Sequence, residues 1–597
     1  MTAHMTPPKR SNESGIALIS ALLLGVIGIL LTIGLLTYAM GSEPLAKRHT
    51  DWNAALGAAQ AGVDDYIYRL NKDPEYWRYG FEAPAPADNP ALTGFTDVPG
   101  GKETDSIKPQ YRYRVIARPD PATGARIVLE VTGKVGNVQR VLRASLARRG
   151  FLDYMYFTDY EQADPIISSN AELAKQVCTH WYDPNPVRVL TGTYAGKTYD
   201  RENASAASPY SSLAASSTAA RLCTKIGFGG GDVITGPLHS NDWIGINSAV
   251  TFKGLVTSSA PLSTPAPRWR NYASSGTPTP SFQAAGQGSP PGPVFADPLD
   301  LPENNAKLDV IAQDGGCVYT GPTKITLNAN GTMDVASPNS TQPVNPGCGT
   351  AKATTGVVAT NLALPANGVI YVKSFSGSNG KMTGMPTVVN SDDYNSTYWG
   401  AQHGDVFLSG TLNGRLTIGS ARDITITGDT VYNTAPDTAN PNSTDMLGLI
   451  ANNFVQTYHP LKCVNSSNKV VYANAWPAAN MYMMSGSPGM ASGVTCTNMT
   501  ATPDDLTIHA AILALQHSFR VPEYHKGAKM DKLTVVGAIA QMYRGAVATS
   551  SGGTNVTGYQ KDYIYDGRLA YQAPPYFLDP VTSAWRSTKW METKANS

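Results

Sequence analysis

Residues Gly414–Tyr432 read GRLTIGSARDITITGDTVY, two short runs in which Leu, Ile and Val alternate with Thr and are punctuated by Gly, Ser and Asp. A period of two places alternate side chains on opposite faces of a strand, and β-branched residues suit that pleated surface. The rhythm recurs in VITGPLHSNDWIGINSAVTFKGLVTS from Val233, VIYV from Val369, DVFLSG from Asp405, MLGLIA from Met446, LTIHAAILAL from Leu506 and KLTVVGAIAQ from Lys532. Several runs fall about ten residues apart, too close for the helical crossovers of a βαβ fold. The pattern predicts a mainly β chain whose body, residues 231–545, is a parallel β-helix in which each coil buries its inward side chains on the next. Pro/Ser/Gly-rich and Ser/Asn/Met-rich insertions are expected near 257–367 and 456–505, and a two-sheet sandwich is the rival arrangement.

The composition agrees with this reading. At 597 residues the chain exceeds the ~250–300 residues at which single cores stop growing. Gly 56 and Pro 42 against only 15% charged residues is the turn chemistry of a β-rich protein. Lys+Arg 46 against Asp+Glu 45, with no dense basic block, argues against nucleic acid as a partner. The six cysteines, Cys178, Cys223, Cys317, Cys348, Cys463 and Cys496, have no CxxC and no zinc-like spacing, so disulfides in an oxidising compartment are expected. Of the fifteen connectivities, pairing in sequence order is favoured because each successive pair brackets one Ser/Asn/Gly-rich insertion.

Ahead of the body, YRYRVIAR, RIVLEVTGKV and VQRVLRASLARR between Tyr111 and Arg149 predict a small antiparallel sheet within residues 76–150, followed by an irregular connection over 151–230. Further upstream, Gly15–Met40 (GIALISALLLGVIGILLTIGLLTYAM) carries no charge and is long enough to cross a bilayer once as a retained anchor. Lys9 and Arg10 before it are matched by Lys47 and Arg48 after it, so flanking charges do not orient it. Beyond a break at Gly41, Ser42 and Pro44, Trp52, Leu56, Ala59, Val63, Tyr66 and Leu70 mark one face of an amphipathic helix. The small residues Ala54, Ala55, Gly57, Ala58, Ala59, Ala61 and Gly62 on that helix suit close packing against neighbouring helices in a filament.

GIALISALLL together with AALGAAQAGVDDYIYRL (Ala54–Leu70) resembles the PilX class of type IV minor pilins, the PilX N-terminal family. The resemblance implies a prepilin leader over residues 1–15, cut between Gly15 and Ile16, a transmembrane and amphipathic pilin-like helix over 16–75 and a pilin-like head over 76–150. It also implies other pilins or pilus assembly proteins as partners and a body held outside the membrane. Ser20 stands where most pilins carry a glutamate. In the body, GDVITGPLHSND, MLGLIANNF, KLTVVGAIAQMYRG, GYQKDYIYDGRL and APPYF resemble the C-terminal region of large actinobacterial-type surface proteins, which implies a right-handed β-helix.

Candidate chemistry is thin. His239, with Ser240, Asn241 and Asp242, could suggest a catalytic or calcium cluster, but neighbours in sequence point in different directions, and no GxSxG or HExxH occurs. Asp405, Asp423 and Asp429, with His403, are the acids a polysaccharide-active β-helix would use, although Asp is common at strand ends for turn reasons alone. The aromatic-rich stretch 546–597 and its approach, including Tyr543, Tyr559, Tyr563, Tyr565, Tyr571, Tyr576, Phe577, Trp585 and Trp590, is expected to cover the last coil, with surface glycans as a further partner class. The reading is a structural, pilus-associated surface protein: not an enzyme, with no cofactor and no metal. The alternatives are a membrane-anchored adhesin unrelated to pili and a polysaccharide-active enzyme.

Overall fold

The structure, a computed structural model, describes residues 14–73, 75–100, 108–118, 126–167, 171–183, 185, 187–192, 195–196, 198–200, 223, 225–261, 268–273, 276–287, 291–341, 345–385, 400–435, 443–468, 495–499, 502–551, 554–570, 572–581 and 584–593. It is mainly β, with one long N-terminal helix, a small antiparallel sheet and a large mixed sheet. The chain divides into a head (Met1–Arg118, Arg126–Ala147 and Trp585–Ser597) and a body (Pro119–Ala125 and Arg148–Ala584).

In the head, one helix runs unbroken from Ser14 to Lys72. The break expected at Gly41, Ser42 and Pro44 is absent, because a proline removes one hydrogen bond and bends a helix without ending it when both flanks are strongly helical. The face Ala55, Ala58, Ala59, Val63, Tyr66 and Leu70 is buried against a five-stranded sheet in the order Thr96–Asp97, Gln110–Ala117, Ile127–Val135, Val138–Arg148, Trp585–Thr593. Tyr111, Tyr113, Val115, Ile127, Leu129, Val131, Leu142, Leu146 and Trp585 complete this core. Each large side chain fully buried contributes about 1.5–3 kcal/mol.

The fifth strand of the head comes from the far end of the chain. Trp585–Thr593, which the sequence places in a covering tail, lies beside Val138–Arg148. The strand is held by bidentate Arg140 to Glu592 (2.7 and 2.6 Å), by Arg126 Nη1 donating to Thr588 Oγ1 (2.9 Å), and by Trp585 N donating to Asn71 Oδ1 (2.6 Å). The body is thus inserted between two neighbouring strands of the head sheet.

The body carries two long parallel ladders, with strands about 4.8 Å apart. One stacks Cys317–Thr320, Val369–Lys373, Arg415–Ser420, Met446–Ala451, the latter parts of Leu506–Ala514 and Lys529–Tyr543, then Tyr156–Tyr160, Leu238–Ser240, Val256–Ser258 and Val294–Phe295. The other runs through Val406–Leu412, Ile424–Tyr432, the earlier parts of Leu506–Ala514 and Lys529–Tyr543, then Thr554–Tyr565, Asp232–Thr235, Val250–Phe252 and Pro280–Phe282. Ile234, Phe252, Leu408, Ile418, Ile426, Leu449, Ile508, Ile512, Val535 and Ile539 form the buried interior.

The stacking order is not the chain order. Tyr156–Tyr160, inside the stretch read as irregular, sits in the middle of the first ladder, paired with Ile539–Tyr543 on one side and Leu238–Ser240 on the other. From there the chain stacks outward to Phe295. It then returns along the side of the stack through Leu299 and helix Ala306–Gln313, and re-enters at Cys317 at the opposite end. Polar clamps fix this return strap. Asn241 Nδ2 donates to Leu299 O (2.8 Å), Gln516 Nε2 to Glu303 O (3.1 Å), Asn305 Nδ2 to Ser420 O (2.7 Å) and Ile450 O (2.9 Å), and Asn367 Nδ2 to Ile311 O (2.9 Å).

The two ends of the stack are closed differently. At the Cys317 end, Thr323–Asn328, Thr332–Ser337, Gly356–Ala363 and Ala351–Lys352 form an antiparallel meander, which makes the sheet mixed. At the other end the strand Pro280–Phe282 begins with a proline, which cannot donate to a further strand.

Candidate functional site: an exposed apolar helix and the surfaces beneath it

Leu18–Leu36 of the long helix has mean hydropathy 2.7, and none of it is buried within the molecule. A surface of Leu and Ile in water would be unfavourable by tens of kcal/mol at roughly 25 cal/mol per Å2, so this segment requires a nonaqueous or protein environment. Thr32 is satisfied internally, its Oγ1 donating to Gly28 O (2.9 Å) and Ile29 O (2.8 Å), so the segment presents no unmet polar side chain there. Gly25, Gly28 and Gly34 face open space. Gly15 and Ile16 lie in the same helix, while residues 1–13 of the expected leader lie outside the described residues. Ser20 is exposed on it.

The lower half of the helix uses its small residues differently from the sequence expectation. A Cβ at Gly62 would lie 2.7 Å from Val131 Cγ1 and 2.8 Å from Tyr111 Cδ2, and one at Gly133 would lie 2.0 Å from the Ala55 carbonyl oxygen. Ala55, Ala58, Ala59 and Gly62 therefore seat the helix on its own sheet, and of the seven small residues Gly57 faces open space. A polar staple fixes the seat. Tyr113 Oη donates to Asp65 Oδ2 (2.7 Å), Arg69 Nε pairs with the same carboxylate (3.1 Å), and the buried Asn89 donates to the hydroxyls of Tyr76 (2.6 Å) and Tyr113 (2.5 Å).

The cysteines pair as Cys178–Cys223, Cys317–Cys348 and Cys463–Cys496, with Cα separations of 5.3, 5.5 and 4.0 Å. They close loops of 45, 31 and 33 residues, for which chain entropy assigns about 4 kcal/mol each. The Cys317→Ser/Cys348→Ser double variant is expected to lower body stability by that order. Urea unfolding checks this, and an unchanged midpoint would show that the bridge carries no such load.

His239 is wholly buried, its ring between Thr257 Oγ1 (2.9 Å) and Asn241 Oδ1 (3.2 Å). Ser240 and Asn241 are engaged within the fold, and Asp242 accepts from the backbone of Trp181 (2.9 and 3.0 Å) and Trp243 (2.8 Å). Burial, with a smaller contribution from Arg149, pushes His239 down to about 3, whereas burial pushes Asp242 up to about 6. For a histidine kept neutral in the fold, the unfolded chain binds the extra proton below about pH 6.5, so stability falls with acidification through that window. Between pH 7 and 5 His239 is expected to cost the body about 2 kcal/mol. A His239→Gln variant should lose that component of the pH slope in denaturant titrations, and an unaltered slope would contradict it.

Asp405, Asp423 and His403 are brought together, with Arg422 between them: Arg422 Nη1 lies 3.3 Å from Asp405 Oδ2 and 3.8 Å from Asp423 Oδ2, and His403 Nδ1 is 3.5 Å from Asp405 Oδ2. Both carboxylates are buried, and burial holds Asp405 above the usual carboxylate range. Asp429 is elsewhere, accepting from Thr507 N at 2.9 Å. Tyr559, Tyr563 and Trp585 are core residues, not a surface platform, whereas Trp590 is 43% exposed; Tyr571 lies outside the described residues. Among the described residues no group of three or more His, Cys, Asp or Glu is placed to hold a metal ion.

Sequence reasoning missed the most concentrated electrostatics, in the middle of the stack, where Lys529–Tyr543 and Thr554–Tyr565 meet Tyr156–Tyr160 and Asp232–Thr235. Arg544 Nη1 pairs with Glu161 Oε2 (2.7 Å), both nearly inaccessible, and the half-buried Lys561 Nζ pairs with the buried Asp232 Oδ2 (2.8 Å). Arg544 also lies over the Phe228 ring at 3.4 Å. Single charged residues in or beside strands are the trace they leave in the sequence, and the partners are hundreds of residues apart.

No protein-family profile matches the chain, and no curated protein matches it. Among solved structures it is similar to the competence-associated pilin ComZ from Thermus thermophilus, with 12% identity over 91% of this chain and 98% of that one and a TM-score of 0.25. At that TM-score the likeness carries no argument.

Proposed function

We infer that the chain is a pilin-like, pilus-associated surface protein whose apolar helix anchors it in a membrane and packs among other pilin helices in a filament, while a parallel β-helical body is displayed outside the membrane. The observation that carries this reading is the single helix Ser14–Lys72, whose upper half exposes a continuous apolar surface and whose lower half is seated on an antiparallel sheet. A simple anchor needs only hydrophobicity; the rigid continuation into a head suits a subunit that transfers its helix from lipid to protein without exposing it to water. The open glycines Gly25 and Gly28 offer close approach for neighbouring helices. The body's parallel registers support stacked coils, and its polar clamps and buried interior support a structural rather than a catalytic role.

One observation favours a plain membrane-anchored adhesin as the second reading: most of the small residues on the lower helix are occupied by the protein's own sheet. Shearing filaments from cells that carry an epitope-tagged copy separates the two. The tagged chain is expected in the filament fraction at substoichiometric levels, and Gly15→Asp is expected to retain it in the membrane. Wild-type protein found only in the membranes of visibly piliated cells would reject the pilus reading and leave the anchored adhesin.

A further inference from the structure

The helix covers one face of the head sheet, where Tyr111, Tyr113, Val131 and Leu142 meet it. The alternate residues of the same strands therefore lie on the far face. The registers set Arg114, Glu130 and Arg143 in one row across three strands, Arg112 and Thr132 in the next row, and Lys134 in the third. At about 6.8 Å between rows and about 4.8 Å between strands, four cations and one carboxylate share a patch of roughly 10 by 14 Å. Asp97, one strand further out, is engaged by Gln110 Nε2 (2.9 Å).

These charges do not cancel. Glu130 takes both Arg114 Nη2 (2.7 Å) and Arg143 Nε (2.9 Å), one negative charge for two positive. Arg112 and Lys134 have no carboxylate partner among the described residues. Their cationic groups instead lie 4.8 and 5.2 Å from the centre of the Phe95 ring, and a ring orients a cation without neutralising it. A cleft of about 420 Å3 opens onto this patch, lined by residues 91–94 and by Arg112, Arg114, Glu130, Thr132 and Gln139. The hydroxyls of Thr93 and Thr132 and the Gln139 amide accompany the charges in that lining.

The lining discriminates among anionic partners. A protein interface is anchored by an aromatic or apolar side chain in a central pocket, whereas the centre of this patch is polar, at Thr132. Single-stranded nucleic acid stacks its bases on open aromatic rings, whereas Phe95 is engaged by two cations. An acidic sugar chain needs spaced cations for its acid groups and neutral polar groups for its hydroxyls, and both are present. We propose that the outer face of the head sheet binds an acidic polysaccharide, its acid groups on Arg112 and Arg114 and its hydroxyls on Thr93, Thr132 and Gln139. The helix lies on the opposite face, so this assignment does not rest on whether the helix packs in lipid or in a filament.

Calorimetry on the full chain in detergent at low salt tests it, with trigalacturonate, sulfated maltotriose, maltotriose and hexaglutamate as probes. At least one of the two acidic trisaccharides is expected to bind saturably, at least about tenfold tighter than maltotriose or hexaglutamate. The tighter of the two names the acid group, carboxylate or sulfate ester, and either result supports the assignment. Arg112 is exposed, so Arg112→Gln is expected to keep the fold and weaken that trisaccharide by about tenfold. Arg78→Gln, at an exposed arginine of the head outside the cleft, is expected to leave it unchanged. Absence of saturable binding by either acidic trisaccharide, equal binding of maltotriose or hexaglutamate, or an equal effect of the two substitutions would each overturn the proposal.

Discussion

Gly133→Val is expected to unfold the head while the body keeps its disulfides and its sheet. Gly133 lies mid-strand where the helix crosses, and a Cβ there would sit 2.0 Å from the Ala55 oxygen and 2.5 Å from the Ala59 nitrogen. Both obstacles are backbone atoms of a helix whose neighbours Ala58, Ala59 and Val63 are themselves buried, so no side chain can rotate away. Displacing the helix would separate Tyr66 and Leu70 from Leu129 and Val131 and break the Asp65–Tyr113 hydrogen bond. Overpacking ordinarily costs about 1–3 kcal/mol, and a backbone collision of this kind should reach or exceed the top of that range. Hydrogen exchange followed by peptide mass spectrometry is the direct readout: peptides from 55–70 and 127–146 should exchange rapidly while those from 415–451 stay protected. Equal protection in the two proteins would show that the helix does not sit against this strand.

Glu161→Leu should be the most damaging single change in the body. Glu161 and Arg544 are wholly buried partners at 2.7 Å, and removing the carboxylate leaves a guanidinium in the interior without its counter-ion, a loss of about 3–5 kcal/mol. Thr158 also donates to Glu161 and would be left with Ser240 Oγ at 3.2 Å as its acceptor. The double variant Glu161→Leu/Arg544→Leu should recover much of the loss, because two apolar side chains tolerate the interior better than one unpaired ion. Urea unfolding of the four proteins in this cycle gives the coupling. Additive losses would mean that the pair does not fasten the Tyr156–Tyr160 strand to Ile539–Tyr543.

The sequence was legible wherever structure is local. The runs at Val369, Arg415, Asp423, Met446, Leu506 and Lys532 are strands because alternation of Val, Ile, Leu and Thr declares a pleated, half-buried segment without reference to any partner. The Tyr66 and Leu70 face of the helix was equally readable from its 3.6-residue period. What alternation does not encode is which strand lies beside which. Tyr156–Tyr160 joins strands at 238 and 539, and Trp585–Thr593 joins the head across the whole body, pairings chosen by complementarity between distant surfaces. The small residues of Ala54–Gly62 were visible, but composition cannot say whether a close approach is made to a neighbour or to the chain's own sheet.

Both ends of the body emerge at one place, where Arg149 N donates to Ala584 O at 3.0 Å. A domain whose entry and exit are a hydrogen bond apart can be spliced into any tight connection between adjacent strands without stretching its host. The stack begins and finishes at its own middle, with the return strap from Leu299 to Gln313 carrying the chain from one end to the other, and that arrangement brings the two exits together. Such a body is a portable cassette. Strands at either end of its stack can be added or lost without moving the pair of exits.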